Sequence, residues 1–338
     1  MSQSEAKRVA AVVLNCNGEA VIEDCLRSLQ ASDHPSLDVI VVDNASTDRS
    51  LQIVGERFPK VSVVRNTRNL GWSGANNAGI RRALAAGVDF VWLLNNDIEV
   101  EPSCVSELVA AAARNPGAAI LGPMIYYFDD RSKAWFSGGC VDAARYYSDH
   151  TATIEEFHAL PPSKRYISGC ALLVRSEVFR RIGLIDERFF IYFEDVDFCC
   201  RASAAGFEME VVESAGMYHK VGAFSSHEGL LSPWKAYHIL RSGLLFWRKH
   251  LGFAGFHRGY CPSQLGKWVN GLAEAWADEK RREWARSVMD ALWYFLSGKR
   301  CPLDHPRSPD WFVRLMTTRP WLVAEWMSLR LPWPVRVS

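Results

Sequence analysis

Short runs of apolar, often β-branched residues alternate with amphipathic helical stretches along the first 120 residues. This pattern predicts strands at 9–14, 39–42, 61–65 and 90–94, and helices at 19–31, 48–58 and 73–86. Ser46 or Thr47 is the predicted N-cap of the second helix. Strands that take turns with helices in this way favour an α/β fold with a mostly parallel central sheet and helices on both faces.

The pattern becomes less regular after residue 120. Antiparallel strands and loops are predicted for 120–165, followed by a strand at 165–174 and a helix at 176–182. An aromatic strand is predicted at 188–193, directly before Glu194, and the next helix is expected to end at Gly206. A last strand at 209–212 leads toward His219.

Polar clusters follow four of the predicted strands. They lie at 15–18, 43–48, 66–71 and 95–97 and are rich in Asn, Asp, Ser and Gly. One such cluster alone is typical of any loop or helix N-terminus. Because the carboxyl ends of parallel strands meet at one edge of the sheet, the four clusters together predict a ligand-binding site at that edge.

Composition and charge exclude several classes of protein. The 338 residues include 39 Lys and Arg against 38 Asp and Glu, so the chain lacks the basic excess typical of nucleic-acid binders. A hydrophobic content of 49% excludes a disordered chain. No apolar run approaches the roughly 18 to 20 residues that cross a bilayer, and no signal region follows the N-terminus, which predicts a cytoplasmic protein.

Missing motifs narrow the function further. The nine cysteines include no C-x-x-C pair, which favours reduced core thiols over a structural zinc site. The glycine fingerprint of dehydrogenases and the P-loop are both absent. A sugar-1-phosphate nucleotidyltransferase is also disfavoured, because no Gly-rich basic loop follows the first strand.

Five acidic or basic residues, in three places along the chain, are candidates for chemistry. Asp97, alone at the end of a strand, suits Mg²⁺ or Mn²⁺ that takes its other ligands from a diphosphate. The acids of 194–197 follow an aromatic run that would raise a carboxyl pKa and favour a general base, although acids in a first helical turn are also stabilised by the helix dipole. His219 could complete a metal site with Asp97, while a lone histidine is more often structural.

Six segments of the chain carry a resemblance to a known family. They are VVLNCNG at 12–18, VVDNASTD at 41–48, NLGWSGANNAG at 69–79, LLNND at 93–97, SGCALLVR at 168–175 and GLIDERFFIYFEDVD at 183–197. In order and spacing they resemble the family-2 glycosyltransferases with the Rossmann-like GT-A fold, particularly the rhamnosyltransferase-like branch. The resemblance implies a GT-A catalytic domain over residues 1–247.

The resemblance also implies roles for individual residues. Asp43 matches the acid that binds the pyrimidine base, Asp97 the last acid of the D-x-D motif, which binds ribose and metal, and His219 a histidine of the metal site. Asp195 matches the base that deprotonates the acceptor, and Glu194 would orient acceptor or sugar. Further residues expected at the nucleotide sugar are Asn15, Asn17, Asn69, Gly71, Trp72, Asn76 and Asn96. Asn95 replaces the first acid of D-x-D, which puts strict dependence on a divalent metal in doubt.

The expected reaction is an inverting transfer of a sugar by direct displacement, with Asp195 as general base. The motifs most resemble enzymes that use dTDP-L-rhamnose; UDP-linked hexose, N-acetylhexosamine or galactofuranose donors are the alternatives, and so is a noncatalytic nucleotide-sugar-binding protein. The acceptor is expected to be a glycan or a lipid-linked saccharide.

Residues 248–338 differ from the rest in composition. This segment holds 8 of the 13 Trp residues and has 15 Lys and Arg against 8 Asp and Glu. Its charge of +7 leaves −6 for residues 1–247. Its pattern is helical. A basic, Trp-rich helical region fits contact with an anionic membrane surface, a helical cap or a homodimer contact.

Overall fold

The computed structural model describes residues 6–220, 231–298 and 307–329. Its strands are β1 (Val9–Asn15), β2 (Leu37–Asp43), β3 (Ser62–Arg65), β4 (Phe90–Asn95), β5 (Ile98–Val100), β6 (Ala118–Tyr127), β7 (Ala134–Phe136), β8 (Gly139–Asp142), β9 (Tyr147–His150), β10 (Arg165–Tyr166), β11 (Ala171–Arg175) and β12 (Glu208–His219).

The α-helices are α1 (Ile22–Gln30), α2 (Ser50–Arg57), α3 (Gly71–Ala85), α4 (Cys104–Arg114), α5 (Ile154–Ala159), α6 (Ser176–Ile182), α7 (Glu194–Ala204), α8 (Pro233–Gly255), α9 (Gly266–Val269), α10 (Leu272–Ala277), α11 (Arg282–Leu296), α12 (Asp310–Thr318) and α13 (Pro320–Leu329). A 3₁₀ turn spans Pro162–Lys164 and a π-helical segment spans Phe256–Leu265.

The large sheet is parallel on one side and mixed on the other. Its strand order is β3, β2, β1, β4, β11, β6, β12, β5, with β7 paired to β6. The pairs among the first four strands are all parallel, as the alternating pattern predicts. Strand β11 is antiparallel to both β4 and β6, so the sheet as a whole is less parallel than predicted. Strands β1 and β4 are almost fully buried, as expected for strands inside a covered parallel sheet.

Two strands near the site differ from their predicted extents. The strand predicted at 209–212 extends over 208–219 and brings His219 opposite Ile98, the residue after Asp97. The strand predicted at 165–174 is interrupted between β10 and β11 by residues 167–170. Both differences place polar residues at the edge where β1, β2 and β4 end.

The predicted aromatic strand at 188–193 is wrong. Tyr192 and Phe193 both have a φ of +67°, a left-handed conformation that cannot belong to an extended strand. The aromatic rings pack against helix α8 instead: Phe190 stacks on His238 with ring centroids 5.1 Å apart, and Phe193 lies 5.2 Å from Phe246. Side-chain packing, not strand pairing, explains this aromatic run.

The predicted cap of α2 is also wrong. Arg49 occupies the N-cap position, and Asp48 accepts the backbone N–H of Ser50 at 3.1 Å. Ser46 is used elsewhere, because its hydroxyl accepts hydrogen bonds from the Asn15 amide and from the backbone N–H of Asn17.

The chain divides into two compact units. One contains the described residues of 6–141, 148–187 and 194–220, and the other those of 142–147, 188–193, 231–298 and 307–329. Helix α8 runs across the predicted boundary between residues 247 and 248. The segment 188–193, which immediately precedes the acidic residues of α7, groups with the helical unit.

Inside the helical unit, α8 holds the segment 188–193 by its backbone. The Arg241 guanidinium donates to the carbonyl of Arg188 at 2.6 Å, and the Ser242 hydroxyl donates to the carbonyl of Ile191 at 2.8 Å. These bonds give hydrogen-bond donors to two backbone carbonyl oxygens of a segment that is not part of a strand.

Two predictions about the whole chain can be compared with the described residues. The eight cysteines that fall within the described ranges form no disulfide there; five of them are buried and three are partly exposed. Among the described residues, no helix has both the length and the apolar character that crossing a membrane requires.

Candidate active site

Asn15, at the end of β1, forms hydrogen bonds that connect several residues at the edge of the parallel sheet. Its side chain is fully buried. Its amide donates to Asp43, Ser46 and Ser50 at 3.4, 3.1 and 2.9 Å, and its carbonyl oxygen accepts from Asn96 at 2.8 Å. Asn15 therefore fixes the position of Asp43 and Asn96, two of the residues expected at the nucleotide sugar.

Gly18 closes this network because only glycine fits there. A Cβ atom at Gly18 would lie 2.0 Å from Nδ2 of Asn96 and 2.4 Å from Oδ1 of Asn15. The exposed Asn17 precedes it with a φ of +52°, and its side-chain oxygen accepts the backbone N–H of Thr47 at 2.8 Å. The loops after β1 and β2 are thus tied together next to Asp43.

Asn44 links the loop after β2 to the start of α3, a role that the sequence pattern did not single out. Its oxygen accepts the backbone N–H of Leu70 at 2.9 Å, and its amide donates to Asn69 at 2.8 Å. Asn69 in turn accepts the N–H of Gly71, which has a φ of +72°. Asn69 is exposed at this edge, whereas Asn76 is fully buried and donates to the Trp72 carbonyl at 3.0 Å.

Asp97 and His219 form a buried pair beside this network. Oδ1 of Asp97 lies 3.3 Å from Nε2 of His219. Apart from this pairing and the nearby Cys170 thiol, Oδ1 of Asp97 and Nδ1 of His219 have no hydrogen-bond partner among the described residues. Burial lowers the pKa of His219, but the Cys170 sulfur and the Asp97 carboxylate oppose this and raise it to about 10.

The Asp97 and His219 pair fits a divalent metal ion in its donor chemistry. A buried carboxylate oxygen and a buried imidazole nitrogen are atoms that can bind a cation, which would displace the proton that the raised pKa keeps on His219. No group of three or more His, Cys, Asp or Glu side chains within the described ranges is arranged to hold a metal. A metal ion here would therefore need ligands from a bound diphosphate as well.

Glu194 and Asp195 begin helix α7, as the sequence predicts for the candidate base. Asp195 is partly buried and accepts the backbone N–H groups of Gly169 and Val196, both at 2.8 Å. Glu194 is 5% exposed, and its Oε2 has no hydrogen-bond partner among the described residues. The third acid, Asp197, binds Arg201 at 2.9 Å, and Arg201 also donates to the carbonyls of Ile182 and Leu184.

Burial shifts the pKa of both neighbouring carboxyl groups in the same direction. Burial raises the pKa of Asp195, although the two backbone N–H groups and the charge of His150 oppose the rise. Burial and the neighbouring Asp195 raise the pKa of Glu194 well above its usual value. Both carboxyl groups therefore keep their protons to a higher pH than freely exposed side chains do.

Trp72 lies under the candidate base rather than on the surface. Its indole N–H donates to Oδ1 of Asn95 at 3.1 Å, and the side chain is 7% exposed. A Cβ atom at Gly169 would lie 2.8 Å from the Trp72 ring and 3.4 Å from Cβ of Asp195. Asn95, which replaces the first acid of the D-x-D motif, therefore accepts a hydrogen bond from Trp72.

The segment 168–170 connects the two ends of the site. Gly169 donates to Asp195, and the next residue, Cys170, has its thiol against His219. The backbone of Cys170 also accepts the N–H of Asn95 at 3.2 Å. The structure thus brings together the strand ends that carry Asp43 and Asp97, His219 and Asp195. Sequence reasoning treated Cys170 only as a buried thiol and did not single out Gly169, although both lie in the SGCALLVR segment.

Comparison with known proteins identifies the family and the fold of this chain. Residues 10–183 match the family model described as Glycosyl transferase family 2. The chain belongs to this family. Its fold is that of the GT-A glycosyltransferases, as the sequence resemblance implied. Among solved structures, the mannosyltransferase PcManGT from Pyrobaculum calidifontis, in complex with GDP-Man and Mn²⁺, is similar with a TM-score of 0.54 and 17% identity over 87% of this chain and 88% of that one.

Three curated relatives are similar to this glycosyltransferase in sequence. An N-acetylglucosaminyl-diphospho-decaprenol L-rhamnosyltransferase of Mycobacterium tuberculosis is 33% identical, over 59% of this chain and 71% of the relative. The dTDP-rhamnosyl transferase RfbF of Shigella flexneri is 27% identical, over 63% and 71%. The galactofuranosyltransferase GlfT1 of M. tuberculosis is 28% identical, over 78% and 81%.

Proposed function

We propose that this glycosyltransferase transfers L-rhamnose from dTDP-L-rhamnose to a hydroxyl of a glycan or lipid-linked acceptor, with inversion at the anomeric carbon. The observation that carries the proposal is the short link between the two ends of the site. Gly169 holds Asp195, and Cys170 contacts His219, the partner of Asp97. The residues that contact the proposed base and the group suited to a diphosphate are thus adjacent in the chain.

The reaction is a single displacement. Asp195 takes the proton of the acceptor hydroxyl while the hydroxyl oxygen bonds to the anomeric carbon, and the bond from that carbon to the diphosphate oxygen breaks. The nucleoside diphosphate leaves with the electron pair, and no covalent enzyme intermediate forms. Asp43, Asn69 and Asn96 are proposed to bind the nucleoside.

Other residues support these roles. Glu194, which retains its proton above its usual pKa, is proposed to donate a hydrogen bond to acceptor or sugar. A divalent metal ion held by Asp97 and His219 would neutralise charge on the leaving diphosphate. Asn15 and Asn76 are buried, so their contribution is to hold the neighbouring residues in place.

The donor assignment is supported by the names of two relatives, an L-rhamnosyltransferase and a dTDP-rhamnosyl transferase. A galactofuranosyltransferase that matches more of the chain supports the second candidate, a UDP-galactofuranose donor. A lipid-linked acceptor is supported by the diphospho-decaprenol in the name of the first relative. Transfer would then take place at the inner face of a membrane.

The first test is a binding and turnover screen of the full chain. The melting temperature is measured with dTDP-rhamnose, UDP-hexoses, UDP-N-acetylglucosamine, UDP-galactofuranose and GDP-mannose, each with and without Mn²⁺. We expect dTDP-rhamnose with Mn²⁺ to give the largest rise, since a ligand that binds only the folded state stabilises it. Slow release of free dTDP without acceptor would separate an enzyme from a noncatalytic binding protein. A larger rise in melting temperature with UDP-galactofuranose would favour that nucleotide sugar, the second candidate, as the donor.

The helical unit carries the residues proposed to contact the membrane. Trp234, Trp311 and Trp321 are exposed, whereas Trp293 is buried and fits the alternative of a packed cap. We expect the full chain to pellet with vesicles containing phosphatidylglycerol, and the double variant Trp311→Ser/Trp321→Ser to pellet less, because exposed Trp side chains favour the interface. Val63→Ser, on the exposed strand β3, is the matched control. Equal pelleting of all three proteins, with a lower oligomer mass for the double variant, would assign these side chains to a dimer contact.

A further inference from the structure

Trp135 lies in the unit that carries the candidate active site. It has no role in the proposed nucleotide binding or proton transfer. It lies in the short strand β7 and is partly exposed. Its ring is nearly perpendicular to that of His219, with centroids 4.5 Å apart, and to that of His150, with centroids 5.0 Å apart. His150 is also close to the Trp135 backbone, with Nδ1 at 3.2 Å from the carbonyl oxygen.

The two histidines mark opposite ends of the site. His219 pairs with Asp97, where the diphosphate is expected. His150, at the end of β9, is near enough to Asp195 for its charge to oppose the rise in the Asp195 pKa. The indole of Trp135 therefore spans the distance from the leaving-group end to the end that holds the base.

We propose that Trp135 is the surface against which the transferred sugar ring packs, an inference that rests on the proposed function. In a direct displacement the attacking oxygen, the anomeric carbon and the leaving oxygen are in line, so the sugar occupies the space between base and diphosphate. Trp135 contacts the histidines at both ends of that space. An indole offers a large, rigid apolar surface, which suits the C–H face and the methyl group of a 6-deoxyhexose.

The role of Trp135 is specific to the sugar and not to the nucleotide. Asp43, Asn69 and Asn96 lie at the ends of the parallel strands and their loops, whereas Trp135 lies on β7, which pairs with β6, and its ring contacts that of His219. Loss of the indole should therefore weaken binding of the nucleotide sugar without weakening binding of the nucleotide alone. His150 acts as a positioning residue, because its ring and its Nδ1 both contact Trp135.

Calorimetric titration of the full chain with dTDP and with dTDP-L-rhamnose, both in Mn²⁺, tests the inference. For Trp135→Ala we expect about tenfold or greater loss of affinity for dTDP-L-rhamnose and unchanged affinity for dTDP, since only the sugar loses an apolar contact. Trp135→Phe keeps an aromatic ring and should keep most of the difference in affinity between dTDP-L-rhamnose and dTDP. Trp311→Ala, an exposed Trp of the helical unit, is the matched control and should bind both ligands as the wild type does.

The two proposals fail in different arms of this experiment. If the wild type binds no nucleotide sugar in the screen, the proposed function is wrong; if it binds a different one, that nucleotide sugar and its nucleotide are used for the variants. Equal loss of both ligands in Trp135→Ala would make Trp135 a support for His219 only, and would overturn the inference. Unchanged affinity of Trp135→Ala for both ligands would overturn it as well. So would a Trp135→Phe variant that binds dTDP-L-rhamnose no more tightly than dTDP. Retained dTDP binding in Trp135→Ala also demonstrates that the variant is folded.

Discussion

Asp195→Asn is expected to lower the transfer rate by about 10² to 10⁴-fold, the usual contribution of a positioned general base. The amide has the shape of the carboxylate but cannot accept the acceptor proton. Its oxygen can still accept a backbone N–H group, from Gly169 or from Val196. Binding of the nucleotide sugar should be nearly unchanged, because no part of the proposed nucleotide site includes Asp195.

The stability of Asp195→Asn separates a catalytic loss from a folding defect. The pKa of Asp195 is raised in the folded state, so the ionised form is less stable there than in the unfolded chain. The free energy of unfolding therefore falls as the pH rises from the usual value of 3.8 through the raised pKa. The amide lacks this cost, so the melting temperature at neutral pH should not fall.

The pH dependence of wild-type transfer gives a second measurement on the same residue. A base must be unprotonated, so transfer should decline as the pH falls through the raised pKa of Asp195. Asp129→Asn, at an exposed position in the same unit, is the control and should keep both rate and pH profile. Turnover in Asp195→Asn at the wild-type rate would exclude Asp195 as the base.

Gly169→Ala is expected to lower kcat by about 10²-fold, the effect of displacing a reacting group by roughly 1 Å. The new Cβ would lie 2.8 Å from the Trp72 ring and 3.4 Å from Cβ of Asp195, so the Trp72 ring or the Asp195 side chain must shift. Gly169 has no left-handed φ, so alanine is permitted by the backbone and the effect comes from crowding. Overpacking of this kind also costs about 1 to 3 kcal/mol of stability.

A matched substitution and a rescue variant make this prediction specific. Gly55→Ala is exposed in the middle of α2 with no atom near its Cβ position, and should retain activity while stabilising the helix by about 1 kcal/mol. The double variant Gly169→Ala/Trp72→Phe removes part of the ring that the new methyl group meets, so it should recover part of the lost kcat. Steady-state kinetics with dTDP-rhamnose measures both. A change confined to KM, or no recovery in the double variant, would contradict a displacement of Asp195.

The helical unit illustrates where local reading of the sequence fails. The run RFFIYF at 188–193 has the composition of a strand, but its rings pack on α8 and its last two residues have positive φ. Strand propensity largely reflects side-chain packing on a half-buried surface, and a helix offered that surface here. The predicted boundary after residue 247 fell inside α8 because composition changes there while the helix does not end.

The sequence by itself determined the parallel half of the sheet, the family and the positions of Asp43, Asp97 and Asp195 at element ends. It could do so because the spacing of apolar residues and the order of short motifs can be read along the chain without knowing which distant residues are in contact. Only the tertiary structure decided that Asn95 bonds to Trp72, that Gly169 holds Asp195 and that Trp135 spans His219 and His150. These contacts join residues that are far apart in the chain, and their distances depend on strand register and close packing, which no local pattern encodes.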